Sequence, residues 1–134
     1  MSKVCIVTGA SQGLGRGIAQ VLAEEESATV YATARSEQAL NELASSVEGN
    51  GTIHPFVLDQ NDYSAVEQFV SQISEKEKQI DVLVNSAYGG LKAIAPHFGK
   101  PFWERPVSVF DASNNIGLRS AYVMSAFVAP HMVK

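Results

Sequence analysis

The chain has 134 residues, with 10 Lys and Arg against 14 Asp and Glu, so its formal net charge is −4 at pH 7. Hydrophobic residues make up 46% and charged residues 18%, which is typical of one globular domain and excludes a disordered chain. The acidic balance argues against a nucleic-acid surface, and no segment approaches the roughly 20 apolar residues that span a bilayer.

The amino terminus and the cysteine content bear on the compartment. The first residues run straight into a strand-like segment, which leaves no room for a signal peptide. Cys5 is the only cysteine, so an internal disulfide framework is excluded. We therefore expect a reducing compartment, most simply the cytoplasm, and association with the endoplasmic reticulum stays open. His54, His97 and His131 lack metal-ligand spacing, so no metal site is predicted.

Strands and helices are predicted to alternate along the chain. Four apolar runs are predicted strands: Val4–Val7, 28–34, 52–58 and 81–84. Three helices between them are predicted from apolar residues at helical spacing: Leu14, Ile18, Val21 and Leu22; Leu40, Leu43, Ala44 and Val47; Val66, Phe69, Val70 and Ile73. Ser36 and Asp62 precede the second and third helices as N-caps. This alternation predicts an α/β fold, a Rossmann-like doubly wound parallel sheet with helices on both faces and strand order 3-2-1-4.

The last third of the chain is less regular. Residues 89–106 hold three prolines and three aromatic residues and are predicted to form a long loop. A single long helix is predicted over 107–128, with Pro130 just beyond it. The fourth predicted strand lies at the edge of this sheet, and its apolar run favours pairing with a further strand.

A glycine-rich turn joins the first strand to the first helix. Residues 8–15 read Thr-Gly-Ala-Ser-Gln-Gly-Leu-Gly. Glycines there allow a sharp turn and the close approach of a diphosphate, and the helix N-terminus offers unpaired N–H groups. The segment therefore predicts a nucleotide site, with a tight turn that binds nothing as the alternative.

The glycine spacing and a second segment together carry a family resemblance. The pattern Gly-x-x-x-Gly-x-Gly, combined with Asn85-Ser86-Ala87-Tyr88-Gly89 after the fourth strand, resembles the short-chain dehydrogenase/reductase family, where the matching segment is Asn-Asn-Ala-Gly. The resemblance implies that residues 1–134 are the NADP-binding N-terminal part of one such domain, acting on a small carbonyl or alcohol. The cofactor-binding residues implied are Gly9, Ser11, Gln12, Gly13, Leu14, Gly15, Arg35, Asp59, Gln60, Asn85 and Ala87.

Cofactor choice follows from the end of the second strand. A carboxylate at the first loop position would accept the ribose hydroxyls of NAD. Ala34 occupies that position and Arg35 follows it, so a guanidinium is available to the 2′-phosphate of NADP. The alternative for Arg35 is a solvated surface charge. By resemblance, Ser11 adds a hydrogen bond to the same phosphate.

Two further strand ends have roles implied by the resemblance. Asp59 meets the adenine amino group and Gln60 presents its backbone to the ring; Asp59 as a helix-entry turn residue is the alternative. Asn85 steadies the central strands beside the adenosine ribose, and a buried asparagine that ties backbone groups together is its alternative.

The family's proton-transfer residues are expected outside this chain. The family uses a Ser and a Tyr-x-x-x-Lys on a later helix, and Lys134 precedes the expected fifth strand. Tyr88 and Lys92 have the right spacing, but in a glycine-rich loop their side chains are not expected to stack on a helix. By the resemblance, the family's catalytic asparagine falls at Gly117. Asn114, or Asn115 beside it, is the candidate that replaces it; the alternatives are that the role is absent and that both are helix-entry residues.

Three readings of function follow. The first is an NADP-dependent oxidoreductase of the short-chain type, of which this chain is the cofactor-binding half. The second is an inactive truncated product that binds a nucleotide or a full-length partner. The third, a methyltransferase, is disfavoured because Arg35 replaces the acidic residue that would bind a ribose.

By resemblance the long helix contacts a second subunit in a homo-oligomer, through the apolar residues Phe110, Ala121, Met124, Phe127 and Val128.

Overall fold

The computed structural model describes residues 1–134, and four parallel strands form one sheet at its centre. The strands are β1 (Val4–Val7), β2 (Thr29–Ala34), β3 (Thr52–Val57) and β4 (Val82–Val84). Their order is β3-β2-β1-β4, which confirms the predicted topology. Cys5 is paired with Val30 on one side and with Val82 on the other, so β1 is the central strand, while β4 pairs with β1 alone.

Six α-helices accompany the sheet. They are α1 (Gly13–Glu24), α2 (Glu37–Ser45), α3 (Tyr63–Lys76), α4 (Leu91–Ile94), α5 (Val107–Ser113) and α6 (Ser120–Met132). None of them is long and apolar enough to cross a membrane. The predicted caps are confirmed, since the Ser36 side chain accepts a hydrogen bond from the Ala39 N–H and Asp62 accepts one from the Ala65 N–H.

Two hydrophobic clusters lie on opposite faces of the sheet. Cys5 and Val7 of β1 pack with residues of α1 and α2 on one face. Val4 and Ile6 pack with residues of α3 and α6 on the other face. The odd and even residues of a strand point to opposite faces, so β1 is buried on both sides. The predicted doubly wound arrangement is confirmed.

The predicted apolar face of the first helix is wrong in part. Leu14 is 75% exposed and Val21 is 47% exposed, whereas Ala19 and Ala23 are fully buried. The reason is a close approach of α1 to the chain before it, where a Cβ on Gly15 would collide with the Gly9 carbonyl. Gly15, Ala19 and Ala23 lie four residues apart and form the buried face of α1, while the predicted Ile18 and Leu22 are partly buried against the same cluster.

The predicted single helix over 107–128 is also wrong. Between α5 and α6 the segment Asn114–Arg119 is interrupted, because Ile116 and Gly117 have non-helical backbone angles. Pro130 lies inside the last turn of α6, where its missing N–H removes only one intrahelical hydrogen bond. The predicted loop over 89–106 contains α4 and two short 3-10 turns, Ala95–His97 and Phe102–Glu104.

The five residues assigned to a subunit contact do not form one exposed face. Met124 and Val128 are fully buried in the cluster that includes α3. Phe127 packs partly against the same cluster, whereas Phe110 is 65% exposed. Met124 and Val128 therefore serve the core, because α6 packs against α3 where the prediction had left its inner face free.

Candidate functional site

The turn between β1 and α1 lies against the segment that follows β4. Gly9 has a φ of +63°, and a Cβ there would lie 2.7 Å from backbone atoms of Ser86 and Ala87. Both constraints favour glycine, since a side chain would meet backbone that has no room to move. The turn and the end of β4 are therefore in direct contact.

Thr8 holds this contact in place. Its backbone N–H donates to the Val84 carbonyl at 2.9 Å. Its buried hydroxyl accepts hydrogen bonds from the backbone N–H groups of Ser86 and Ala87, both at 3.1 Å. Our prediction of site residues missed Thr8, although its place directly before Gly9 was a signal.

The amino end of α1 is open. Gln12 is the N-cap residue and makes no side-chain capping bond, and the first turn holds no acidic residue. The first N–H groups of a helix have no intrahelical partner, and the helix dipole places partial positive charge there. Gln12, Gly13 and Leu14 are exposed and Ser11 is half-buried, so the predicted turn offers an anion its backbone donors.

The ends of β2 and β3 join the same edge of the sheet. The Ala10 N–H donates to the Thr33 carbonyl at 3.0 Å, and the Gln60 side-chain amide contacts the Thr33 hydroxyl at 3.4 Å. Thr33 therefore links the glycine-rich turn to the end of β3. Arg35 follows two residues later and is exposed, as a group that meets a ligand from solvent must be.

Asp59 and Gln60 differ in exposure. Asp59 is exposed, and one of its carboxylate oxygens accepts the Asn61 N–H at 2.9 Å. Its carbonyl also accepts the Asp62 N–H at 3.0 Å, so it does form the helix-entry turn that was its alternative role. Gln60 is only 7% exposed, so its side chain is structural.

Asn85 is not the buried asparagine considered as its alternative. It is exposed, and its side-chain amide donates to the Ser125 hydroxyl at 3.1 Å. It therefore ties the end of β4 to α6. Ala87 is half-buried and packs against Gly9.

Asn114 lies at the start of the interruption between α5 and α6. Its side-chain amide donates to the Phe110 carbonyl at 2.9 Å, four residues back on α5. Tyr88 precedes α4 and donates its hydroxyl hydrogen to Ser113 at 3.2 Å, whereas Lys92 lies on α4. Tyr88 and Lys92 thus do not share a helix, as predicted.

All four strands end at this edge, and the predicted residues from the different units are brought together there. Ligands of open α/β sheets bind at the carboxyl ends of the strands, where neighbouring connections lead to opposite faces. The connection after β1 leads to α1 on one face, while the chain after β4 leads toward α6 on the other. The predicted turn is therefore at the position where such folds bind ligands.

A family described as short chain dehydrogenase matches residues 3–134. The chain belongs to this family. Two relatives are dehydrogenase/reductase SDR family member 1 of Mus musculus and of Homo sapiens, 43% and 42% identical over 98% of this chain. Residues 102–106 and Asn114–Arg119 resemble the same family member. The 7alpha-hydroxysteroid dehydrogenase of Clostridium sardiniense is 32% identical over 98% of the chain.

Solved structures agree with this assignment. A metagenomic short-chain oxidoreductase in complex with NADP superposes with a TM-score of 0.84 at 29% identity, over 99% of this chain and 58% of its own. A short-chain dehydrogenase of Shigella flexneri complexed with NADP gives 0.81 at 25% identity, over 98% and 54%. The chain spans 42% of the length of the two mammalian relatives and 49% of the bacterial one.

Proposed function

We propose that this chain is the NADP(H)-binding part of a short-chain oxidoreductase that interconverts a carbonyl and an alcohol. The observation that carries the proposal is the contact of Gly9 with Ser86 and Ala87, beside the uncapped amino end of α1. At this point the turn presents backbone without a side chain from Gly9, and the first N–H groups of α1 beside it have no intrahelical partner. The family membership and the NADP complexes of two structural neighbours support the choice of ligand.

Each part of the site has a role in this proposal. The turn and the first N–H groups of α1 bind the diphosphate, Arg35 pairs with the 2′-phosphate, and Asp59 meets the adenine. Asn85 flanks the adenosine ribose, and Ala87 packs against the turn that would hold the diphosphate. The nicotinamide ring would carry the hydride. The residues that move the proton, a Ser and a Tyr-x-x-x-Lys in this family, are proposed to lie outside residues 1–134.

The role of Arg35 is tested by calorimetric titration of the purified chain with NADPH and with NADH. A charge-assisted contact contributes roughly 1.5–3 kcal/mol, so Arg35→Ala should lower the affinity for NADPH about tenfold or more. NADH affinity should change less than twofold, since NADH lacks the 2′-phosphate.

Lys78→Ala is the matched control, because Lys78 is an exposed cation just beyond the carboxyl end of α3. It should leave both affinities unchanged. Equal weakening of NADPH and NADH by Arg35→Ala would reject the 2′-phosphate assignment.

A second function is a binding role without catalysis, as an inactive product that associates with a full-length partner. The observation that favours it is exposed apolar surface in the last third of the chain, including Phe102 at 79% and Trp103 at 73%. Failure of a well-folded chain to bind either nucleotide would favour this second function over the first.

A further inference from the structure

Tyr88 and Gly89 contact the end of α5 and the interruption that follows it. The Gly89 N–H donates to the Ile116 carbonyl at 2.7 Å. The Tyr88 hydroxyl donates to Ser113, whose own hydroxyl donates to the Val109 carbonyl at 2.9 Å. The segment after β4 thus supplies partners to the last turn of α5 and to the interrupted backbone itself.

The ring of Tyr88 covers Gly117. A Cβ at position 117 would lie 3.5 Å from Cδ2 and 3.9 Å from Cε2 of that ring. These are ordinary van der Waals distances, so a methyl group fits, whereas a longer side chain on that side requires the ring to move. Gly117 is also bound on its other side, since its N–H donates to the Ser120 hydroxyl at 3.0 Å.

The same segment contacts the glycine-rich turn. Ala87 immediately precedes Tyr88, donates its N–H to Thr8 and packs against Gly9. Ala87, which contacts the glycine-rich turn, and Tyr88, which contacts Gly117 in the interruption, are therefore adjacent in the chain. Tyr88 therefore lies between two backbone contacts, that of Ala87 with Thr8 and that of Gly89 with the Ile116 carbonyl.

We propose that Tyr88 is a positioning residue that couples the cofactor-binding turn to the interruption at Asn114–Arg119. Coupling between two sites is reciprocal. A ligand bound at the turn therefore orders the interruption, and loss of the Tyr88 contacts lowers the affinity for that ligand. This inference rests on the proposed binding of NADP(H). It assigns Tyr88 a role that involves no contact with the cofactor.

The test compares NADPH affinity and amide hydrogen exchange in the full chain and its variants. Tyr88→Ala should lower the affinity for NADPH about three- to tenfold, which is the equivalent of losing one hydrogen bond and the packing around it. In the unsubstituted chain NADPH should slow exchange at residues 114–119, and in Tyr88→Ala it should not. Tyr88→Phe keeps the ring and should retain part of both effects.

Tyr122 provides the matched control. It is 74% exposed on α6 and makes no side-chain hydrogen bond, so Tyr122→Ala should leave NADPH affinity and the exchange pattern unchanged. A second comparison is independent of the cofactor: Gly117→Leu should destabilise the chain more when Tyr88 is present than in Tyr88→Ala, whereas Gly117→Ala should be tolerated in both.

The outcomes separate this inference from the proposed function. If the unsubstituted chain folds but does not bind NADPH, the proposed function is rejected and the coupling with it. If it binds NADPH and both Tyr88 variants bind equally well with the same exchange pattern, the coupling alone is rejected. Should Tyr88→Ala fail to fold, Tyr88→Phe decides: NADPH affinity and exchange at residues 114–119 equal to those of the unsubstituted chain would reject the coupling.

Discussion

The first three strand–helix units and the segment after β4 are built in different ways. In the first region α2 and α3 start at side-chain caps, and their apolar residues are buried against the sheet. In the second region α4, α5 and α6 start without side-chain caps, and most of the exposed large apolar side chains lie there. Local signals therefore specify the first region, whereas contacts with the rest of the fold specify the second.

The contrast bears on how stability is distributed along the chain. The first region buries its apolar surface and supplies a rigid edge on which the glycine-rich turn is held. The second region contacts that edge through Ser86 and Ala87 and leaves most of its large apolar side chains exposed. Regions with few buried contacts open at low free-energy cost. Substitutions of matched residues in the two regions test this contrast.

The largest effect is expected from Phe69→Ala in α3. Phe69 is 1% exposed and packs edge-on against Phe56 with ring centroids 4.8 Å apart. Removing a buried phenyl ring costs about 3–5 kcal/mol through lost burial and the cavity left behind. Urea unfolding followed by circular dichroism measures the change in the free energy of unfolding. Phe110→Ala, in the second region, should cost less than about 0.5 kcal/mol because Phe110 is exposed.

A smaller, pH-dependent effect is expected at Cys5 in β1. Burial, reinforced by the Asp81 carboxylate, raises the pKa of the Cys5 thiol from 9.0 to about 11. The folded state then keeps a proton that the unfolded state loses between about pH 9 and 11, so the free energy of unfolding falls as pH rises through this range. Cys5→Ala should show a shallower fall in urea titrations at pH 8 to 11. Identical slopes for the two proteins would contradict the assignment.

How far the sequence predicts the structure follows from the same contrast. The Ser36 and Asp62 caps and the glycine-rich turn were predictable because each depends on a few adjacent residues. The strand order was predictable because alternating strands and helices restrict the topology. The exposure of Leu14 and Val21 was not, since it depends on how closely Gly15 approaches the Gly9 carbonyl. The interruption at Gly117 was not predictable either, because partners distant in sequence, such as Gly89, stabilise it.

The site residues also differ in how far the sequence predicts them. The turn and the strand ends form one edge because parallel strands place their carboxyl ends together. Tyr88 falls where the family resemblance implies glycine and Gly117 where it implies asparagine, and in the structure Tyr88 lies against Gly117. One sequence shows these two departures separately, and only the structure brings them into contact.

The smallest effect is expected at Trp103, the only tryptophan in the chain. Its side chain is 73% exposed, and its ring packs edge-on against Phe102, which is itself exposed, with ring centroids 5.4 Å apart. Trp103→Ala should therefore change the free energy of unfolding by less than about 0.5 kcal/mol. In the native protein its fluorescence should have the emission maximum of a solvated indole and be quenched readily by iodide. A blue-shifted emission that moves red on unfolding would show that Trp103 is covered, for instance by a second copy of the chain, and would remove the contrast between the two regions at this residue.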